Sequence, residues 1–133
     1  MVEVICDTNF IIHLATRRIK NIDNLDVEIG QITFVVPQVV KNELSELAKN
    51  PKKIQEIQST LNYIKNFKTI PITGTFADKE LLDYVLKNKV IVATMDKELK
   101  RQIKNLGSSI MSLSNDRIVL ESSTKFNFDS TKF

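Results

Sequence analysis

Short β-branched runs that stop at or just before a chain-breaking or acidic residue constrain this chain more than any other feature. Val2–Cys6 (VEVIC) stops at Asp7, Ile32–Val36 (ITFVV) stops at Pro37, and Val90–Thr94 (VIVAT) stops two residues short of Asp96. A strand wetted on one face alternates apolar and polar residues, whereas a strand covered on both faces reads as nearly continuous apolar sequence. Between the runs lie stretches of helical character. FIIHLA follows Asp7, and a helix opens at Pro37 and ends near Asn50-Pro51. Ile54, Ile57, Leu61 and Ile64 recur at helical spacing, Ala77–Lys87 is helical, and Lys97–Leu106 is a helix stopped by Gly107. Two weaker runs, Thr69–Thr73 (TIPIT, interrupted by Pro71) and Ser109–Leu113 (SIMSL), bring the strands to five. Strands alternating with helices predict the α/β class, here a three-layer α/β/α sandwich around a central parallel sheet of about five strands.

A length of 133 residues with 42% hydrophobic and 26% charged side chains suits one globular domain. One cysteine (Cys6) and one histidine (His13) exclude an intramolecular disulfide framework and a Cys/His zinc site. Any metal chemistry therefore falls to oxygen donors. Cys6, inside an apolar strand, reads as a packed small hydrophobe and His13 as an ordinary helix residue. No apolar run reaches the roughly 20 residues of a bilayer span, and no basic stretch precedes the first apolar run. A cytoplasmic chain without a membrane partner is expected, and the net charge of +3 permits an anionic one. Residues 1–113 carry the strand–helix pattern. Residues 114–133 change character, with STKF at Ser123–Phe126 and again at Ser130–Phe133, and read as a C-terminal extension, an edge strand or a flexible tail.

Position, rather than number, singles out four acids. In open parallel sheets, ligands gather beyond the carboxyl ends of the strands. Asp7 and Asp96 follow two such ends and fall on the same rim. In the helix after Pro37 the apolar stripe is Val40, Leu44 and Leu47. At about 100° per residue Glu43 lies roughly 60° from Val40 and borders the buried face, whereas Glu46 is solvated. Asp78 precedes the stripe of Leu81, Leu82 and Val85 at i+3, i+4 and i+7, while Glu80 and Asp83 rotate away. Singly, Asp7, Asp78 and Asp96 also read as helix N-caps and Glu43 as a boundary residue. Jointly, carboxylates gathered in a half-dry site need protons or cations to offset their repulsion. An all-oxygen donor set suits Mg²⁺ or Mn²⁺, one ion or two, and such an ion serves phosphodiester hydrolysis.

The four acids with their flanks resemble a PIN domain, a compact metal-dependent nuclease module. The resemblance rests on Asp7-Thr8-Asn9, VVKNEL at 39–44, ADKELL at 77–82 and Thr94-Met95-Asp96, in the family's order. It spans roughly Val2 to Leu113 and is closest to small single-domain archaeal and bacterial members, among them ribonuclease toxins and ribosomal-RNA processing relatives. It implies Asp7 on the central strand and Asp7, Glu43, Asp78 and Asp96 as the catalytic, metal-binding acids. It also implies support from Asn9 and Thr94, a homodimer, and an antitoxin or a ribosomal particle as partner. Met95 stands where many relatives carry a polar residue such as Asn.

The expected activity is Mg²⁺- or Mn²⁺-dependent endoribonuclease cleavage of RNA. Asp7, Asp78 and Asp96 hold the cation while Glu43 ligates it or orients the attacking water. Lys97, Lys100, Arg101 and Lys104 recur at i, i+3, i+4 and i+7 and form a basic stripe suited to RNA phosphates, opposite a core-facing stripe of Leu99, Ile103 and Leu106. Few aromatics, 7% and no Trp, argue against an extensive base-stacking platform, although Phe126, Phe128 and Phe133 stand in the last stretch. Met95 motivates the alternative, a non-catalytic RNA-binding or ribosome-assembly factor on the same scaffold. A receiver-like phosphoacceptor domain ranks lower, because Thr73-Gly74 follows the third run where that class wants an acceptor Asp.

Overall fold

The structure is a computed structural model and describes residues 2–88 and 90–121. Along the chain run β1 (Val2–Cys6), α1 (Thr8–Thr16), a single 3-10 turn (Ile22–Asn24), α2 (Leu25–Glu28), β2 (Ile32–Pro37), α3 (Gln38–Leu47) and α4 (Ile54–Tyr63). After these come β3 (Lys68–Ile70), α5 (Ala77–Lys87), β4 (Ile91–Ala93), α6 (Lys97–Asn105), β5 (Ile110–Ser114) and β6 (Arg117–Glu121). The strands form one mixed sheet of six in the order β3-β2-β1-β4-β5-β6. Its first five members are parallel, as the apolar runs predict. Helices α1, α3 and α4 pack on one another, α5 packs on α6, and α3 also meets α5, whose first residue bonds to Glu43. Right-handed crossovers that first move outward from β1 on one side, then on the other, put these two groups on opposite faces.

The core explains why the strands read as they do. Val4, Ile5, Cys6, Val35, Val36, Val92, Ala93, Ile110 and Met111 are all buried between the helical layers. Phe10 of α1 sets its ring against Phe34 of β2 at 6.2 Å, closing the core beneath the first helix. Leu44, Leu81, Leu99 and Ile103 bring the helices down onto the sheet.

The sixth strand departs from the expected all-parallel sheet. Ser114 pairs with Arg117, so the β5–β6 hairpin turns on Asn115-Asp116 alone. Both residues take positive φ, 53° and 59°, the geometry a two-residue turn needs to match strand twist. The outer edge of β6 is then occupied. The buried amide of Asn21 accepts from the Ile118 N–H at 2.9 Å and donates to its carbonyl at 2.9 Å, standing in for a neighbouring strand. The STKF repeats with Phe126, Phe128 and Phe133 lie outside the described residues.

Smaller differences have local causes. The third strand ends at Ile70 rather than continuing through Thr73, because Pro71 has no N–H to donate. The Ile72 N–H folds back to the Ile70 carbonyl at 2.8 Å, and the Ile72 carbonyl accepts from Val39 N–H of α3 at 2.8 Å. Leu106 is 39% exposed instead of facing the core, because α6 has ended and Gly107, at φ 88°, turns the chain away. Glu80 does not simply rotate into solvent. Its carboxyl lies where a Cβ on Gly74 would sit, and Gly74 itself holds φ at 135°, a conformation that disfavours a side chain there. Among the described residues no helix is long and apolar enough to cross a membrane.

Candidate active site

Strand order reverses at β1: the chain fills β2 and β3 on one side and β4 and β5 on the other. Beyond the carboxyl ends of β1 and β4 the flanking connections diverge, and a crevice opens there for purely topological reasons. Asp7 stands in it. Its N–H donates to the Ala93 carbonyl at 2.8 Å, carrying the β1–β4 ladder one residue past the strand. It then caps α1, Oδ1 accepting from the Thr8 N–H at 2.8 Å. Oδ2 accepts from the buried Thr94 hydroxyl at 2.9 Å.

Thr94 in turn joins Asp7 to Asp96. Its hydroxyl oxygen accepts from the Asp96 N–H at 3.1 Å. Asp96, exposed, caps α6 by accepting from the Leu99 N–H at 3.0 Å. Glu43 reaches the crevice from α3, and both of its oxygens are anchored. Oε1 accepts from the Thr8 hydroxyl at 2.7 Å, and Oε2 accepts from the Ala77 N–H at 3.0 Å at the head of α5. The capping and the pocket readings of Asp7 and Asp96 are therefore not alternatives, since one carboxylate does both.

The electrostatics are those of uncompensated negative charge. Burial pushes the Asp7 carboxyl above its ordinary value, and the neighbouring Glu43 and Asp96 charges push the same way; the bonds from Thr8 and Thr94 pull down without prevailing. None of Asp7, Glu43, Asp78 or Asp96 is ion-paired among the described residues. Asp78 stands apart. It is exposed on the first turn of α5, accepts from the Lys79 N–H at 2.9 Å, and does not cap the helix, whose N-cap position is Phe76. Asn9 is exposed on α1 and lines a cleft of about 360 Å³ with His13, Arg17, Glu56, Met95 and Asp96. A second cleft, of about 340 Å³, opens on the other side of Glu43 between Val39, Asn42, Glu46, Leu47 and Thr75.

Two contributors escaped the sequence reading. Thr8 serves Asp7 with its N–H and Glu43 with its hydroxyl; the signal was its place inside Asp7-Thr8-Asn9, at the start of a helix. Glu121 of β6 captures half of the basic stripe, with Lys104 at 2.6 Å and Lys100 at 3.7 Å from its carboxylate. Burial pushes the Glu121 carboxyl up, but Lys104, Ser112 and Lys100 outweigh it and hold the group below its usual value. Arg101 pairs with Glu98 on the same helix, its Nε 3.1 Å from Oε2. The stripe is thus not the continuous free surface its spacing suggests, and Lys97 is its exposed member without an ion pair among the described residues.

The donor set is oxygen throughout, as a hard divalent cation prefers. Among the described residues, however, no three His, Cys, Asp or Glu side chains stand close enough together to hold an ion by themselves.

A mostly parallel sheet with carboxylates at its reversal point defines an α/β protein with an acid-lined crevice at the switch point. Comparison with known proteins narrows this class. Residues 4–116 match the family described as a PIN like domain. Ribonuclease VapC4 of Methanocaldococcus jannaschii is 33% identical over 121 residues, which cover 84% of this chain and 89% of that protein. The rRNA-processing protein FCF1 homolog of Mus musculus is 31% identical over 125 residues, and the matched region spans 60% of its length. The solved structure of the PIN domain endonuclease Utp24 superposes with a TM-score of 0.74 at 30% identity, covering 90% of this chain and 91% of that one. The chain belongs to the PIN-domain family.

Proposed function

We propose that this protein is an endoribonuclease that hydrolyses RNA phosphodiester bonds at the crevice of Asp7, Glu43 and Asp96, with Mg²⁺ or Mn²⁺ as cofactor. The observation that carries this reading is Asp7 itself, 9% exposed and raised by burial beside two further carboxylates, with no basic side chain paired with it among the described residues. A protein keeps such a group only at a cost, and a cation removes it. The names of the relatives support the same reading, since VapC4 is named a ribonuclease and Utp24 an endonuclease.

Asp7 with Asp96 or Glu43 would hold the ion. Asp78 would approach from the head of α5, to which Glu43 is tied. Mg²⁺ is characteristically held by one or two carboxylates, with waters and substrate phosphates completing its shell, so an all-protein cage is not required. When bound, such a cation polarises the attacked phosphodiester and eases deprotonation of the attacking water. The chain's own part is positional. Thr8 and Thr94 fix the Asp7 carboxylate from two sides, so its lone pairs face the crevice without searching rotamers. Thr8 and Ala77 do the same for Glu43, which is placed to orient a water or accept its proton.

A second reading has an observation of its own. Met95, half-buried beside Asn9 and Asp96, supplies no polar atom comparable to an amide in that cleft, and the FCF1 homologs are named for rRNA processing. A non-catalytic RNA-binding factor would follow. Incubation with single-stranded and duplex RNA and DNA, with and without Mn²⁺, separates the two. Mn²⁺-dependent RNA cleavage that Asp7→Asn abolishes is the expected result. RNA binding without cleavage under every metal condition favours the second reading, and cleavage at the wild-type rate by Asp7→Asn overturns the site.

A further inference from the structure

Four phenylalanines fall among the described residues, and one is out of place. Phe10 and Phe34 pair in the core, and Phe67 pairs with Tyr63 at 5.4 Å. Phe76 has no ring partner among the described residues and is 63% exposed. Its position is not arbitrary. The next peptide N–H, that of Ala77, is the group that anchors Glu43, so Phe76 is bonded directly to the crevice wall. The backbone there is firmly held. The Phe76 carbonyl accepts from the Glu80 N–H at 3.1 Å, and Gly74 packs against the Glu80 carboxyl just upstream. Beside the ring's attachment point, Thr75, Val39 and Leu47 line the mostly apolar cleft that Glu43 shares. Lys79, three residues on, is exposed and without an ion pair among the described residues.

An exposed, unpaired aromatic on a fixed backbone, continuous with an acid crevice and followed by a free cation, has the features by which single strands are gripped: a π-face for a base and a charge for a phosphate. We infer that Phe76 stacks on one unpaired base of the RNA substrate next to the scissile bond, with Lys79 contacting a flanking phosphate. This deepens the nuclease reading and rests on it for the identity of the substrate. A duplex hides its bases in its own stack and offers the ring nothing comparable.

The test uses the full chain carrying Asp7→Asn to prevent cleavage, and a fluorescent single-stranded oligoribonucleotide with 2-aminopurine at successive positions. Phe76→Ala and Phe76→Leu should each weaken binding by about 5- to 150-fold, whereas Phe76→Trp should retain it. Only the ring-bearing proteins should quench 2-aminopurine. Binding of the same sequence as a duplex should change less than about twofold. Lys79→Ala should lower the dependence of binding on salt by about one phosphate contact.

Equal affinity of Phe76 and Phe76→Ala overturns the inference. Full retention by Phe76→Leu also does, since apolar contact would then suffice, and so does a shift in oligomeric state by light scattering, since the ring would then meet a second chain. Cleavage by the wild type with no Phe76 effect removes the stacking and leaves the nuclease; ring-dependent binding without cleavage does the reverse.

Discussion

The crevice and helix α6 carry opposite charges a short way apart, and the fold treats them differently. On α6 the charges other than Lys97 are mostly answered. Lys100 and Lys104 meet Glu121, Arg101 meets Glu98, and Ser112 donates a further bond to Glu121 at 2.6 Å. In the crevice they are not: Asp7 sits nearly out of solvent with two more carboxylates nearby and neutral donors for company. Paired charges at a half-exposed surface contribute modestly to stability and fix a neighbour. Unpaired charge under cover costs stability and persists where something else is to bind. The larger hollow at the opposite rim, about 860 Å³ between the start of β1 and the ends of α5 and α6, sharpens the contrast. Among the described residues its lining holds one acid, Glu3, and that acid is paired with Lys68 at 2.6 Å.

The largest expected effect lies where charge is unanswered. Loss of a group that only orients a metal ligand costs about 10- to 100-fold. Asp7→Asn, which alters a proposed ligand itself, should therefore reduce Mn²⁺-dependent cleavage by more than about 100-fold, read as kcat/KM on a single-stranded substrate. Thr8→Val keeps the N–H to Asp7 but removes the hydroxyl that holds Glu43, and a loss of about 10- to 100-fold is expected, mostly in kcat. Equal activity in Thr8→Val would mean that Glu43 needs no positioning.

On the paired side the expected sign reverses. Glu121→Gln removes the charged partner on β6 that Lys100 and Lys104 share. Binding of single-stranded RNA should tighten at low salt if these lysines reach phosphate, while stability falls by about 1 kcal/mol, a figure already discounted for partial exposure. Unchanged binding would assign both lysines to the fold alone.

The smallest effect is thermal and concerns pH. Because the Asp7 carboxyl is raised, the folded protein holds a proton that the unfolded chain has lost, from the ordinary carboxylate range up to the raised value. Stability therefore falls as pH rises through that window, and Asp7→Asn should lack this loss. In EDTA near neutral pH the variant should melt at or a few degrees above wild type. Added Mn²⁺ should raise the melting temperature of the wild type and leave the variant nearly unmoved. A variant that melts well below wild type would show that the Asp7 charge is structural.

How much was legible in sequence follows from the range of the forces involved. Doubly covered strands must be apolar, so Val4–Cys6, Val35-Val36 and Val92-Ala93 announced the parallel sheet, and helix rotation put Glu43 at the edge of its buried stripe. The boundaries of α5 were legible too, from Ala77 to Lys87. The sixth strand was legible only as one of two readings of residues 114–133, an edge strand without bounds or direction. RIVLE is short and one-sided, and Asn115-Asp116 lacks the glycine that usually marks such a turn; Asn21, nearly a hundred residues away, completes the strand's outer edge. Asp78 looked equivalent to its fellow acids by period, yet only geometry separates an acid facing solvent from one facing Asp7.

The sequence by itself determined the layers, the parallel order of covered strands and the rim on which acids collect, because local spacing and burial preference act along the chain. Tertiary structure alone decided which charges find partners. Glu121 meeting Lys104, or Thr8 bridging Asp7 and Glu43, depends on distances of a few ångströms between segments far apart in sequence. Coulomb and hydrogen-bond energies change steeply over such distances, and no periodicity in a single chain encodes them.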